Sequence, residues 1–312
     1  MSARSSKGRF AAGLPDQVNP SATLWTIPAV PAFPADVHGR AVVVLGATYV
    51  GVPEEGERLL RPLREIDEPI VDLSGTLPYV ALQKMFDPFF PAGALQYYWK
   101  SMYLEGLEDE AIDVVVDHVK ARPSSLSMVA LWVLGGALAR VDPSTTATGA
   151  RDAPFLLEIL ANWDDPASVD ANIQWARGLF ETMQPHGTGK TNLNFPGLGD
   201  EPEFVRAAFG DHWRRLVEVK RRYDPGNLFR VNQNIDPNDW RAPRPHAQIA
   251  SATPPLRGSA APSTRPSTRT AAACTSPHGS GRSWAAWPSA SSARTIASGS
   301  PAGSTSMRSG RC

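Results

Sequence analysis

The chain runs to 312 residues, 42% of them hydrophobic, enough for one large or two small domains around a sizeable core. Its formal net charge of zero hides an asymmetry: no Asp or Glu follows Asp239 while nine arginines do, leaving −9 on residues 1–240 and +9 on the remainder. The only cysteines, Cys274 and Cys312, fall in that basic remainder, which excludes a disulfide framework or a thiolate metal site from the body.

Residues 1–20 read as polar and irregular. Two short β-branched runs bounded by Pro and Gly, 24–30 and 41–50, predict strands. Over 53–66, Leu59, Leu63 and Ile66 keep helical spacing behind leading acids that suit a helix N-terminus, although Pro62 interrupts. A short helix over 79–86 and an aromatic strand over 96–104 follow. Residues 108–123 set Ile112, Val115, Val116 and Val119 on one face and stop at Arg122-Pro123, an amphipathic helix. The run 125–141 is too long for one strand, and Gly135-Gly136 marks a bend. Residues 154–163 form another strand. Asp165 and Pro166 open a helix as cap and first-turn residue, and Val169, Ile173, Ala176, Phe180 and Met183 carry its rhythm. A loop over 184–190, a short strand over 191–195, a long helix over 203–223 and an extended close over 228–235 complete the body.

Strands alternating with helices fit a parallel α/β domain or an antiparallel sheet covered on one side. The Gly-rich strand–turn–helix fingerprint of a dinucleotide fold is missing. The expectation is therefore α+β, a mainly antiparallel sheet covered by helices, in a domain over 21–200 followed by a segment over 201–240. No apolar run reaches the roughly 18 residues of a membrane span, and no apolar stretch follows the basic start as in a secretory signal. A cytoplasmic protein with no membrane or nucleic-acid partner is expected.

The tail over 241–312 is Ser, Ala, Arg, Thr, Pro and Gly with no apolar period, a composition that stays disordered because it buries too little to offset ordering. Two readings of it stay open beside a nucleic-acid or acidic-surface contact: a solvated basic tail, or GC-rich DNA read out of frame.

The densest motif is Tyr223-Asp224-Pro225-Gly226-Asn227-Leu228-Phe229-Arg230-Val231-Asn232-Gln233-Asn234-Ile235. Physically, Asp-Pro-Gly-Asn ends a helix and turns the chain, and Arg230 and the asparagines then offer hydrogen bonds; the bland reading is a pin that fastens the C-terminus to a sheet. The run closely resembles the C-terminal signature Y-D-P-x-N-x-F-R-x-N-Q-N-I of berberine-bridge-enzyme-like FAD-linked oxidoreductases. Further similar pieces are 38–51, 54–65, 97–104, 134–141, the Ala161-Asn162-Trp163 strand end and 193–197. The resemblance implies a substrate domain whose sheet roofs a flavin, a C-terminal segment that returns to the flavin domain, and a small organic substrate oxidised by hydride transfer to FAD. It also implies that a flavin-binding half, with a Gly-rich loop, should precede residue 14. None is here, so a separate flavin-domain chain is one expected partner and a truncated, inactive remnant is another reading. In either case apolar faces would be left exposed and the chain would self-associate.

The resemblance sets Asn192 where the family usually has a tyrosine base, two residues before Asn194. An amide takes no proton near neutral pH. His186 and Lys190 are the nearest substitutes by sequence, whereas His38 and His118 read as satisfied or surface residues. Asn194, Asn232 and Asn234 are the implied cofactor contacts. On strand 154–163, period 2 puts Glu158, Leu160 and Asn162 on one face; Glu158 and Asn162 are candidate substrate ligands, or merely a polar sheet edge. Trp132 is a candidate pocket wall, or plain core. Tyr97, Tyr98 and Trp99 should split between pocket and core, with Lys100 at the surface. No zinc motif or G-x-S-x-G elbow occurs, and Gly189-Lys190-Thr191 fails as a P-loop because Gln184 stands where the upstream glycine belongs. A binding module without chemistry is the remaining alternative.

Overall fold

The computed structural model describes residues 13–148, 150–195, 202–231 and 233–239; the expectations for 1–12 and for the tail lie outside them. Strands β1 (Val18–Thr26), β2 (Ala41–Tyr49), β3 (Gln96–Leu104), β4 (Met128–Val133) and β5 (Phe155–Trp163) form one sheet in the order β2-β1-β4-β5-β3. Every neighbouring pair is antiparallel. The helices are α1 (Pro53–Arg64), α2 (Tyr79–Lys84), α3 (Asp109–Lys120), α4 (Gly136–Arg140), α5 (Val169–Thr182), α6 (Pro202–Phe209) and α7 (Trp213–Tyr223). The fold is α+β, an antiparallel sheet with its main helical cover on one face.

That cover is α3 and α5. Helix α3 starts with Asp109 and Glu110 in its first turn and buries Ala111, Val115 and Val119, a one-sided stripe at four-residue spacing. The carboxylate of Asp165 accepts from Ala167 N at 2.9 Å and leads into α5, which buries Trp175, Ala176, Leu179 and Phe180. Both pack on the back of the sheet against Tyr98, Met102, Val129, Leu157, Ile159 and Ala161. Trp175 Nε1 donates to His118 O at 2.8 Å and fastens α5 to the end of α3. Full burial of side chains such as Leu157 and Ile159 stabilises the fold by about 1.5–3 kcal/mol each.

Several elements differ from the sequence reading. Strand β1 begins at Val18, within the stretch expected to be irregular, because its ladder with β2 runs unbroken from Val18–Tyr49 to Thr26–Ala41. The 125–141 run is strand only to Val133; Gly135 and Gly136 take φ of 132° and 52° and α4 follows. The long helix splits at Gly210, whose φ of 53° breaks α6 from α7. Residues 191–195 form no strand. Lys100 is buried, since alternation along β3 turns it to the back, where Nζ sits 4.5 Å from the Phe180 ring centre.

A second, smaller core joins α6 and α7 to the C-terminal segment: Val205, Trp213 and Val217, with Leu193, Phe209 and Ile235 against them. Arg206 Nε donates to Asp239 Oδ2 at 2.6 Å in a buried ion pair. Beyond α7, Asp224 accepts from Leu228 N at 2.7 Å and Phe229 N at 3.0 Å and pairs with Lys220 at 2.5 Å. These contacts, the side-chain bond to Lys220 foremost, hold its carboxyl below the usual range. Asn227 takes φ of 51°, so the motif is a built turn. It leaves Leu228, Phe229 and Val231 strongly exposed, at 78%, 78% and 82%.

Candidate active site

Alternation turns Tyr97, Trp99, Ser101 and Tyr103 of β3, Leu156, Glu158, Leu160 and Asn162 of β5, and Met128, Ala130 and Trp132 of β4 to the front, opposite the helices. Across the strands these residues fall into rows. One row runs Thr23, Ala130, Glu158, Ser101; its neighbour runs Ser21, Trp132, Leu156, Tyr103. The short side chains on either side of Glu158 leave space that the larger neighbours lean over. Trp132 does so, donating from Nε1 to Glu158 Oε2 at 2.9 Å. No described residue donates to Oε1.

Glu158 is 8% exposed. Burial pushes its carboxyl above the usual range, and the Trp132 hydrogen bond opposes this. Tyr103, two residues along β3 from the partner of Glu158, has its phenol pushed up, first by burial and then by the Glu158 charge. The sheet thus presents one carboxyl held toward its acid form, flanked by an indole and a phenol.

The 191–195 segment crosses this face. Ser101 Oγ accepts from Asn192 N at 3.1 Å, and Thr191 Oγ1 donates to Ser101 O at 2.8 Å. Phe195 lies on Trp99 with ring centres 5.5 Å apart, and Trp99 meets Tyr97 at 5.4 Å. Gln233 Nε2 donates to Leu193 O at 2.9 Å, so the C-terminal segment braces the crossing. Between the crossing, Tyr103 and Phe209 lies a cleft of about 250 Å³ that Asn192 also lines.

The sequence candidates divide accordingly. Glu158 and Trp132 meet, and neither is a sheet edge or plain core. Asn162, expected as a substrate ligand, is spent within the fold: its amide accepts from Trp99 Nε1 at 2.7 Å and donates to Leu126 O at 3.1 Å, at 1% exposure. Asn192 lines the cleft, and its Oδ1 accepts from Asn194 N at 3.1 Å; the Asn194 residue is exposed. Asn232 lies outside the described residues. Asn234 Oδ1 is buried with no hydrogen-bond partner among the described residues, an orphaned acceptor that fits a group bringing its own N–H donor, as a flavin does.

The suggested substitute bases point elsewhere, His186 Nδ1 lying 3.8 Å from Glu108 and Lys190 Nζ 3.5 Å from Asp152. His38 and His118 contact the carbonyls of Phe33 and Val114. Sequence reasoning passed over Ser101 and Tyr103, although the period of two from Tyr97 reaches both. Nothing local in the sequence marks Phe209 as a cleft wall, because the Gly210 break is what aims it. Among the described residues no cluster of His, Cys, Asp or Glu suits a metal, and no helix is long and apolar enough to cross a membrane.

Residues 192–236 match the family model described as berberine and berberine like. The chain is 31% identical over 192 residues to YgaK of Bacillus subtilis, an uncharacterized FAD-linked oxidoreductase, covering 61% of this chain and 42% of that one. It is 28% identical over 137 residues to the aclacinomycin-N/aclacinomycin-A oxidase of Streptomyces galilaeus, 38% of this chain and 25% of that one. Among solved structures, BBE-like 1 of Physcomitrella patens superposes with a TM-score of 0.60 at 16% identity, over 75% of this chain and 51% of that one. At that identity the likeness is one of fold. The chain spans less than half the length of the curated relatives it matches.

Proposed function

We propose that the chain, similar to berberine-bridge-enzyme-like FAD-linked oxidoreductases, is the substrate-holding part of such an enzyme, oxidising a small organic alcohol by hydride transfer to FAD. The observation that carries this reading is Glu158: a buried carboxyl with a raised pKa and one oxygen still open, at the centre of an aromatic sheet face. FAD, when bound, supplies the hydride acceptor. Asn234, one of several described residues with an orphaned buried polar atom, is the candidate contact among them that the family resemblance implies.

The remaining work falls to this chain. Glu158 Oε1 takes the substrate hydroxyl proton as the carbinol carbon gives up its hydride, and a carbonyl results. A carboxylate whose pKa lies nearer the working pH is the better base. Trp132 keeps Oε2 fixed, leaving Oε1 to the substrate, and the aromatic side chains exclude water. Asn192 can orient the substrate but cannot take its proton. A flavin-binding segment carrying the Gly-rich loop completes the proposed enzyme. A second reading, binding without turnover, is favoured by Asn192 alone.

The test uses the full chain, incubated with excess FAD and desalted. A retained visible flavin band, bleached anaerobically by alcohols and bleached about 10²–10⁴-fold more slowly after Glu158→Gln, supports the proposal. Equal bleaching by the variant removes Glu158 from the chemistry. The absence of any band refutes flavin binding by these residues alone and moves the search to the flavin-binding segment.

A further inference from the structure

The two outer strands of the sheet are finished differently. Strand β3 closes one side, and its outer backbone groups are taken up: Tyr103 N donates to Lys190 O at 3.1 Å, Thr188 N donates to Tyr103 O at 2.8 Å, and Thr191 Oγ1 donates to Ser101 O at 2.8 Å. Strand β2 closes the other side, and no described strand lies beyond it. Bonds at its two ends fix its parity. Val50 N donates to Gln17 O at 3.1 Å and Ile27 N donates to Arg40 O at 3.0 Å, with an unbroken register between them. Even-numbered residues of β2 therefore bond to β1. The N–H and C=O groups of Ala41, Val43, Leu45 and Ala47 point the other way, and no described strand receives them.

An open edge is normally blunted by a charge, a proline, a bulge or short length. Strand β2 has none of these: it runs nine residues as Ala-Val-Val-Val-Leu-Gly-Ala-Thr-Tyr. Val43 and Val44 are 49% and 40% exposed. Helices α3 and α5 lie over β3, β4 and β5 and leave this side clear. Helix α1 meets β2 at Tyr49, whose ring lies against Gly51 and Gly56.

We infer that β2 pairs with β2 of a second copy of this chain, antiparallel about a two-fold axis at Val44, so that two five-stranded sheets become one. The strand is self-complementary in that register. Its outward groups bond Ala41 to Ala47 and Val43 to Leu45 of the other copy. Between them Val44 meets its own copy, and Val42 meets Gly46, whose missing side chain leaves room for it. Arg40, the nearest charge, comes opposite Thr48 instead of a second arginine. The ladder stops short of Tyr49 and α1. Such an interface uses the same patch on both copies, and because β3 is taken up on the far side, assembly ends at two. Being small, the interface is weak and reversible.

Sedimentation velocity of the purified full chain over about 1–200 µM, a range suited to a weak interface, tests the inference, with far-UV circular dichroism as the check on folding. A reversible dimer is expected. Val44→Lys sets two like charges face to face and should weaken it at least about tenfold. Val43→Pro removes an outward N–H without touching the bonds to β1, and should weaken it by as much. A cysteine pair tests the register and carries the test if either variant misfolds. In a Cys274→Ser, Cys312→Ser background, Val44→Cys should give a disulfide-linked dimer on mild oxidation. Residues opposed in a non-hydrogen-bonded pair stand about 4.5 Å apart at Cα, within the reach of a disulfide. Thr48→Cys in the same background puts its two thiols about 25 Å apart and should not cross-link. A monomer at every concentration overturns the inference. So does a dimer that either folded variant leaves intact, which would assign self-association to the exposed Leu228, Phe229 and Val231. So does Val44→Cys that fails to cross-link, or Thr48→Cys that cross-links as fast.

Discussion

Replacing Trp132 with Phe removes the indole Nε1–H that donates to Glu158 Oε2 at 2.9 Å, together with part of the ring. A hydrogen bond to a charged group contributes about 1.5–3 kcal/mol, and about 1.4 kcal/mol is a factor of ten in an ionisation equilibrium. Trp132→Phe should therefore shift the ionisation of Glu158 about ten- to hundredfold toward the acid. Burial already raises this carboxyl and Trp132 is what opposes it, so both effects then act in one direction. The acid limb of activity, which needs the ionised carboxylate, moves to higher pH. Stability follows the same sign. A carboxyl raised in the folded state contributes most below its unfolded value, and that contribution is lost as pH rises through the folded value; the variant extends the loss to higher pH. Carbon-13 NMR of labelled glutamate carboxyls, assigned with Glu158→Gln, reads the titration directly. An unmoved Glu158 titration in Trp132→Phe would refute the reasoning, because the bond would then not be present in solution.

Three other outcomes are expected. Asn192→Tyr puts a phenol at the mouth of the cleft; with Glu158 as the base it should change single-turnover flavin reduction by less than about tenfold, well short of the general-base contribution lost in Glu158→Gln; stopped-flow bleaching measures it. Ile159→Ala, at a fully buried site between the sheet and α5, should cost about 2–5 kcal/mol in urea unfolding. Arg206→Met takes the buried ion pair away from Asp239 and should cost about 3–5 kcal/mol, whereas Arg206→Met with Asp239→Leu should recover most of it; paired denaturation curves separate the two.

The parts that were legible in the sequence are those whose signal is local and periodic. The stripe of Val115 and Val119 marked α3, and the period of two along 154–163 put Glu158 on a shared face. The turn at Asp224–Asn227 followed from its residue types. What stayed hidden depends on partners distant in the chain. Asn162 looked available because nothing in its neighbourhood announces Trp99 or Leu126, which occupy its amide. Lys100 looked like a surface residue because charge outweighs parity in a sequence reading, yet parity decides, and the Phe180 ring receives the cation. The bond between Trp132 and Glu158 needs β4 beside β5, a fact of strand order that neither strand carries. The cleft needs the Gly210 break, which a continuous helical pattern conceals.

The strand order also governs when the sheet can form. Strands β1 and β2 are neighbours in the chain and can pair as soon as both exist. Yet the main core draws on that hairpin only through Leu24, and a lone two-stranded ribbon is marginal in water. The hairpin must wait for β4, since Ser21 meets Trp132 across the central seam, and β4 needs β5 on its other side. During synthesis the free edge of β1 therefore stays uncovered until β4 has emerged, and β4 in turn until residue 163 completes β5. Closing so long a loop before any reward makes folding slow. The interval before β5 arrives is when this chain is most open to wrong pairing or to a chaperone.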